Sequence, residues 1–145
     1  MNLLILEEKR LIRDAFRALL ATQGEHRVVA EASTIDEACA VANQRPADVA
    51  LVDAESMNGE GLDVVRRLRR LRPAPKVLML APARDDMAIA AALHAGASGC
   101  IFSEASATML LDAIRAVGRG ETWLPPSVSR FELDAHAARL REAQH

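Results

Sequence analysis

The sequence predicts an α/β protein built on a doubly wound, five-stranded parallel sheet, with each strand followed by a helix. Short apolar runs alternate along the chain with segments in which apolar residues recur every three or four positions. The connections between these segments are short, as they are in compact strand–helix–strand units. With 145 residues, half of them hydrophobic, the chain is long enough to bury one real core.

The five predicted strands are short apolar runs, several of them rich in the branched side chains that favour buried strands. They are predicted at Leu3–Leu6, Arg27–Ala32, Val49–Asp53, Lys76–Leu80 and Gly99–Phe102. The third strand ends on an acid, Asp53, and a glycine-rich loop follows it in the stretch "DAESMNGEG". An acid at the end of a buried strand is costly unless its charge is used there.

The helices are predicted from apolar periodicity and from their end signals. Gly24 ends the first helix, "TIDE" at Thr34–Glu37 forms a capping box for the second, and the third runs up to Pro73. The fourth and fifth helices are predicted at Asp85–Ala95 and Thr108–Val117. The first helix should place six apolar residues on one face, namely Leu11, Ile12, Ala15, Phe16, Leu19 and Leu20.

Composition excludes several classes of protein. A net charge of −2 gives no domain-wide basic excess for nucleic-acid binding, and no apolar run approaches membrane-spanning length. The arginines of "RRLRRLR" at Arg66–Arg72 fill the outer face of a helix, which is ordinary patterning for a solvated surface. Cys39 and Cys100 show no metal-ligand spacing and predict reduced thiols in a cytoplasmic protein.

Two parts of the chain differ in character. Residues 1–124 carry the alternating strand and helix pattern and are predicted to form one domain. Residues 125–145 contain a Pro-Pro break and then a charged, weakly amphipathic segment, which predicts a linker with a helical tail.

Three carboxylates follow predicted strands and define a candidate site. In an open α/β sheet the binding crevice lies at the carboxyl ends of the strands, where Glu7, Glu8 and Asp53 stand. If the first and third strands are neighbours, these acids lie close together and must protonate or share a cation such as Mg²⁺. Asp53 is then a candidate nucleophile for phosphoryl transfer. The alternative for the two glutamates is that they are solvated acids at a helix start.

The order and spacing of these motifs resemble the receiver domain of two-component response regulators, from Leu3 to about Leu124. "LILEEKRLIRDAFRALL" is similar to the family's acidic opening, and "DVALVDAESMNGEGLDVVRRLR" is similar to its phosphoacceptor strand and loop, with Asp53 as acceptor and Gly61 starting the helix. "AGASGCIF" and "LLDAIRAVGRGETWLPPSV" look most like the NarL/LuxR-type subfamily. The resemblance implies the flavodoxin-like (CheY-like) fold, with strand order 2-1-3-4-5.

The candidate site departs from the family pattern at several positions. Both members of the acidic pair are glutamate, and Met57 replaces the loop proline. Ala81 stands where the family has a hydroxyl that bonds the phosphoryl group, and Ser103 stands where it has a lysine. Cys100 stands where the family has the aromatic residue that swings inward during switching. These replacements imply an atypical receiver in which phosphorylation is impaired or absent.

Three functional hypotheses follow. The preferred one is a regulatory, non-enzymatic module that acts through protein contacts, with a homodimer or partner surface on the fourth and fifth helices and fifth strand, or on the first and fifth helices. The second is a conventional receiver phosphorylated at Asp53 by a sensor histidine kinase, with Mg²⁺ at Glu7, Glu8 and Asp53. The third is a regulatory module that binds a small ligand in the crevice. In each, DNA contact would need a helix-turn-helix domain that this chain does not contain.

Overall fold

A computed structural model describes residues 1–55, 61–81 and 86–125 of the chain. Within these ranges five parallel strands lie in the order β2-β1-β3-β4-β5, and this confirms the predicted doubly wound sheet. The strands are β1 (Asn2–Leu6), β2 (Arg27–Ala32), β3 (Val49–Asp53), β4 (Lys76–Ala81) and β5 (Gly99–Phe102). The helices are α1 (Arg10–Ala21), α2 (Ile35–Gln44), α3 (Gly61–Arg69), α4 (Asp86–Ala95) and α5 (Ala107–Gly118). The predicted tail at residues 125–145 lies outside the described residues, apart from Pro125.

Both faces of the sheet are buried, because successive residues of each strand point to opposite sides. In β3, Ala50 and Val52 belong to one apolar cluster, while Val49 and Leu51 belong to another. The first cluster includes buried residues of α2, α3 and α4, and the second includes buried residues of α1 and α5. Each central strand is therefore a continuous run of apolar residues in the sequence.

The Thr34 cap of α2 is present as predicted, and α5 begins with a cap of the same kind. The Thr34 hydroxyl accepts a hydrogen bond from the Glu37 amide at 3.2 Å, as a capping box requires. The Glu37 carboxylate accepts from the Ser33 hydroxyl at 3.2 Å, so it is held by the residue before the cap. Ser106 caps α5 in the same way, by accepting from the Met109 amide at 3.1 Å.

The prediction for α1 is wrong in part. Of the six apolar residues assigned to its inner face, only Leu20 is fully buried, and Phe16 and Leu19 are half-buried against the sheet. Leu11, Ile12 and Ala15 are exposed, Leu11 at 81%. The apolar stripe of this helix is wider than the area that the sheet can cover, and its first turn projects into solvent.

A short segment after α5 protects the outer edge of β5. The Cys100 amide donates to the Trp123 carbonyl at 3.2 Å, and the Trp123 amide donates to the Ser98 carbonyl at 3.2 Å. Gly99 lies between these two bonds, and a Cβ there would be only 2.8 Å from the Trp123 carbonyl oxygen. This close approach between backbones requires glycine at position 99.

Gly99→Ala should therefore lower the free energy of unfolding by about 1–3 kcal/mol, since the added methyl group forces Trp123 away from β5. Chemical denaturation of both proteins measures the difference. Gly24→Ala is the matched control, because nothing lies within 4 Å of a Cβ built at Gly24. The control should change stability by no more than roughly 0.5 kcal/mol. Equal effects of the two substitutions would contradict the role given to Gly99.

A polar cluster joins the α1–β2 connection to α5. Arg115 donates from Nε to the Glu25 carboxylate at 2.6 Å, and the Met1 ammonium donates to the Glu25 carbonyl. His26 has a fully buried side chain whose Nε2 lies 3.5 Å from Glu25 Oε1, and neither ring nitrogen has a hydrogen-bond partner within the described residues. Burial lowers the pKa of His26, and the Glu25 carboxylate only partly opposes that effect.

His26 should make the protein less stable in mild acid. The pKa of His26 is lower in the folded state than in the unfolded state, so the unfolded chain binds the proton more readily. The free energy of unfolding therefore falls as the pH drops below about 6.5. Denaturation of wild type and His26→Asn between about pH 7 and pH 5 should show a smaller pH dependence in the variant. Identical slopes would show that His26 titrates alike in both states.

Candidate functional site

Asp53 is the last residue of β3 and lies at the carboxyl edge of the sheet. Its carboxylate is half-buried, and Oδ1 accepts a hydrogen bond from the Glu55 amide at 3.0 Å. The next amide, of Ala54, donates to the Leu80 carbonyl of β4 at 3.0 Å. The chain therefore turns directly after Asp53, and the carboxylate is held at the start of the loop.

Gly61 keeps this loop close to the sheet. It is buried at the start of α3, and a Cβ there would lie 3.3 Å from both the Cα and the carbonyl oxygen of Ala54. A side chain at position 61 would push the helix start away from the residue that follows Asp53. The structure thus gives a packing reason for the glycine at this position.

The acidic pair lies at the same edge as Asp53. Leu6 pairs with Val52, so Glu7 follows β1 at the level at which Asp53 ends β3, as the predicted neighbour relation requires. Glu7 is buried at 1% exposure, and its Oε1 accepts from the Lys9 amide at 3.0 Å. Glu8 is exposed. The two glutamates thus have different environments, one directed into the turn and the other toward solvent.

Arg13 is a residue of this edge that the sequence analysis missed. Its Nη1 donates to the Glu7 carbonyl at 2.6 Å and to the Glu8 carbonyl at 3.0 Å. The guanidinium therefore fixes the backbone of the β1–α1 connection and brings a positive charge beside the acids. Its spacing, one helical turn into α1, is the only sequence signal that could have indicated this contact.

The described residues do not fit a three-ligand metal site. Within the described ranges, no three acidic, histidine or cysteine side chains come together as a group that could hold a metal ion. Glu7, Glu8 and Asp53 all lie within those ranges, so they share an edge without forming such a group. Mg²⁺ at these residues stays a prediction.

The remaining positions around the site are apolar or uncharged. Ala81 ends β4 and Cys100 lies in β5, and both are buried in the cluster that also contains Val52 and Phe102. Burial raises the pKa of the Cys100 thiol to about 12, so the thiol stays protonated at neutral pH. Ser103 is exposed just after β5, and its amide donates to the Ala81 carbonyl at 2.9 Å. Met57, the residue at the loop-proline position, lies outside the described residues.

A parallel sheet in the order 2-1-3-4-5, with an aspartate at the end of its third strand and two acids after its first, defines a receiver-type signalling domain. The family model for the response regulator receiver domain matches residues 3–115. The chain therefore belongs to the response regulator receiver family. Domains of this family are regulatory rather than catalytic, and they typically bind Mg²⁺ at the phosphorylation site.

Known relatives agree with this assignment. The response regulator protein VraR of Staphylococcus aureus is 30% identical over 127 residues, which are 88% of this chain and 61% of VraR. A LuxR-family DNA-binding response regulator from Silicibacter pomeroyi has 29% identity and a TM-score of 0.73, covering 88% of this chain and 98% of that one. A LuxR-family response regulator from Aurantimonas sp. SI85-9A1 has 22% identity and a TM-score of 0.81, with 97% of each chain covered, and shows the same fold.

This chain spans about three fifths of the length of VraR. Among the residues that the structure describes, no helix is long and apolar enough to cross a membrane.

Proposed function

We propose that this chain is an atypical receiver that regulates through contact with a second copy of itself and does not depend on phosphorylation. The observation that carries the proposal is the burial of Ala81 and Cys100 in one apolar cluster. At these positions the family resemblance implies a phosphoryl-binding hydroxyl and a switching aromatic residue. Alanine and a protonated thiol supply neither group.

Charge supports the same proposal. A phosphoaspartate at Asp53 would carry about −1.5 to −2 charges in place of the single carboxylate charge, at an edge that already carries Glu7 and Glu8. Ser103 offers no cation there, and Arg13 is already engaged by the two carbonyls of the β1–α1 connection. A modified Asp53 would thus lack both the neutralising charge and the movable groups that turn phosphorylation into a change of shape.

Conventional phosphotransfer is the second candidate, and Asp53 itself favours it. The carboxylate is half-exposed at the carboxyl edge of the sheet, where a small phosphodonor or a sensor histidine kinase could reach it. In this alternative Glu7, Glu8 and Asp53 would hold Mg²⁺. DNA contact, under either candidate, would need a helix-turn-helix domain.

The dimer surface is assigned to α1, in agreement with one of the two surfaces that the resemblance implies. The exposed apolar patch on α1 comprises Leu11, Ile12, Ala15 and Ala18, which lie on one side of the helix. Arg10, Asp14 and Arg17 border the patch with both signs of charge, and both arginines lie within 4 Å of Asp14. Such a border can pair with its own copy across a two-fold axis.

Phosphorylation is tested by intact-mass measurement after incubation with Mg²⁺ and acetyl phosphate. The wild-type chain should gain no phosphoryl group, because the hydroxyl and the lysine of a working site are absent. The double variant Ala81→Thr with Ser103→Lys, which restores both groups, should gain one, and adding Asp53→Ala should abolish that gain. A phosphoryl group on folded wild-type protein that disappears in Asp53→Ala would contradict the proposal and favour the conventional candidate.

The dimer surface is tested by sedimentation of wild type, Leu11→Glu and Met87→Glu. Leu11→Glu places a charge in the centre of the α1 patch and should weaken self-association roughly tenfold or more. Met87→Glu is the matched control on α4, where Met87 is 42% exposed, and it should leave association unchanged. A loss confined to Met87→Glu would move the interface to α4, and a wild-type chain that stays monomeric would remove the proposed dimer.

A further inference from the structure

A bulge interrupts the edge strand β2. Leu3 pairs with Val28 and Leu4 pairs with Ala30, so Val29 has no partner in β1. The Val29 carbonyl is satisfied instead by Arg45, at the end of α2, whose Nη1 donates to it at 3.2 Å. A bulge of this kind bends a strand locally, and a space beside it lies between the start of β2 and the end of α2.

This space is a cleft of about 410 Å³ lined by Asn2, Arg27, Val28, Val29, Arg45 and Pro46. Its volume lies within the range of small-molecule sites. Asn2 and Arg27 begin β1 and β2, so the cleft lies at the amino ends of these strands. Asp53 lies at the carboxyl end of β3, at the opposite edge of the sheet. The cleft is therefore separate from the candidate phosphoacceptor site.

The two arginines that line the cleft, Arg27 and Arg45, have no counter-ion among the described residues. Within the described residues, neither Arg27 nor Arg45 has a carboxylate within 4 Å, and Asp48, the nearby acid, accepts instead from the Asn2 amide at 2.7 Å. Six other arginines of the described residues do form such pairs, namely Arg10, Arg17, Arg66, Arg67, Arg115 and Arg119.

We propose that this cleft binds a phosphate group, either free or carried by a small metabolite. Guanidinium forks match phosphate oxygens in geometry and charge. Arg45 is pre-positioned by its bond to Val29, so only Arg27 must be ordered when the anion binds. Val28 and Pro46 give the cleft an apolar wall for the body of a phosphate monoester.

The test is an amide NMR titration of the whole chain at constant ionic strength, with inorganic phosphate and glycerol 3-phosphate as separate probes and sodium citrate as a carboxylate control. Saturable shifts at Asn2, Val28 and Val29, without shifts at Asp53 and Ala54, are expected from at least one phosphate probe. Tighter binding of the monoester would favour a phosphorylated metabolite as the ligand, and equal or weaker binding would favour free phosphate.

Variants decide whether the cleft carries the binding. Arg27→Gln should weaken affinity roughly tenfold, since it removes a charged hydrogen-bond donor whose side chain makes no other contact of that kind in the described residues. Arg27→Lys, which keeps the charge without the fork, should weaken it less. Arg70→Gln, the matched control, removes the same charge from an exposed arginine directly after α3 and should change nothing.

Three kinds of result would overturn the proposal. The first is the absence of saturable shifts with both phosphate probes. The second is binding of citrate alone, or shifts centred on Asp53. The third is equal loss of affinity in Arg27→Gln and Arg70→Gln. This result would mean that the affinity for phosphate depends on the net charge of the protein rather than on the cleft.

Discussion

The burial of one parallel sheet on both faces is the constraint on which the rest of the structure depends. Each central strand must present apolar side chains in both directions, so polar chemistry is confined to the strand ends. Asp53 is the first polar residue after four buried positions in β3, and Glu7 follows β1 in the same way. The fixed pairing of β1 with β3 then brings both acids to one edge.

This constraint also explains how much of the fold the sequence could predict. Apolar runs and periodic helices identify each strand and helix of the described residues, because both patterns follow directly from burial. The inner face of α1 was predicted less well, since Leu11 and Ile12 fit the same helical stripe as Leu20 while lying beyond the reach of the sheet. Periodicity gives the direction of a side chain but not the extent of the surface that covers it. The bulge at Val29 carried no signal either, because no glycine or proline marks it.

The candidate site likewise contains features that the sequence could indicate and features that it could not. Residue types at strand ends, such as Ala81, Cys100 and Ser103, can be compared with a family pattern by position alone. Contacts between long side chains and backbone carbonyls of loops cannot be inferred from position alone. They depend on which acceptor the side chain reaches in the folded protein. Arg13 reaches two carbonyls of the connection before its own helix, and Arg45 reaches the unpaired carbonyl of a bulge. Both contacts satisfy backbone groups that the strand pattern leaves open.

Under the proposed function, self-association rather than phosphorylation controls this receiver. A phosphoryl group shifts a receiver only by interacting differently with two of its states. The buried Ala81 and Cys100 provide neither the hydroxyl nor the aromatic ring through which the family resemblance implies that this difference arises. Self-association through α1 needs no such switch, because its extent follows from the concentration of the chain and from any ligand that binds one form better. A ligand in the β2 cleft would act on the opposite edge of the sheet from Asp53. Regulation of this receiver would then be separated in space from the acidic edge that its family uses.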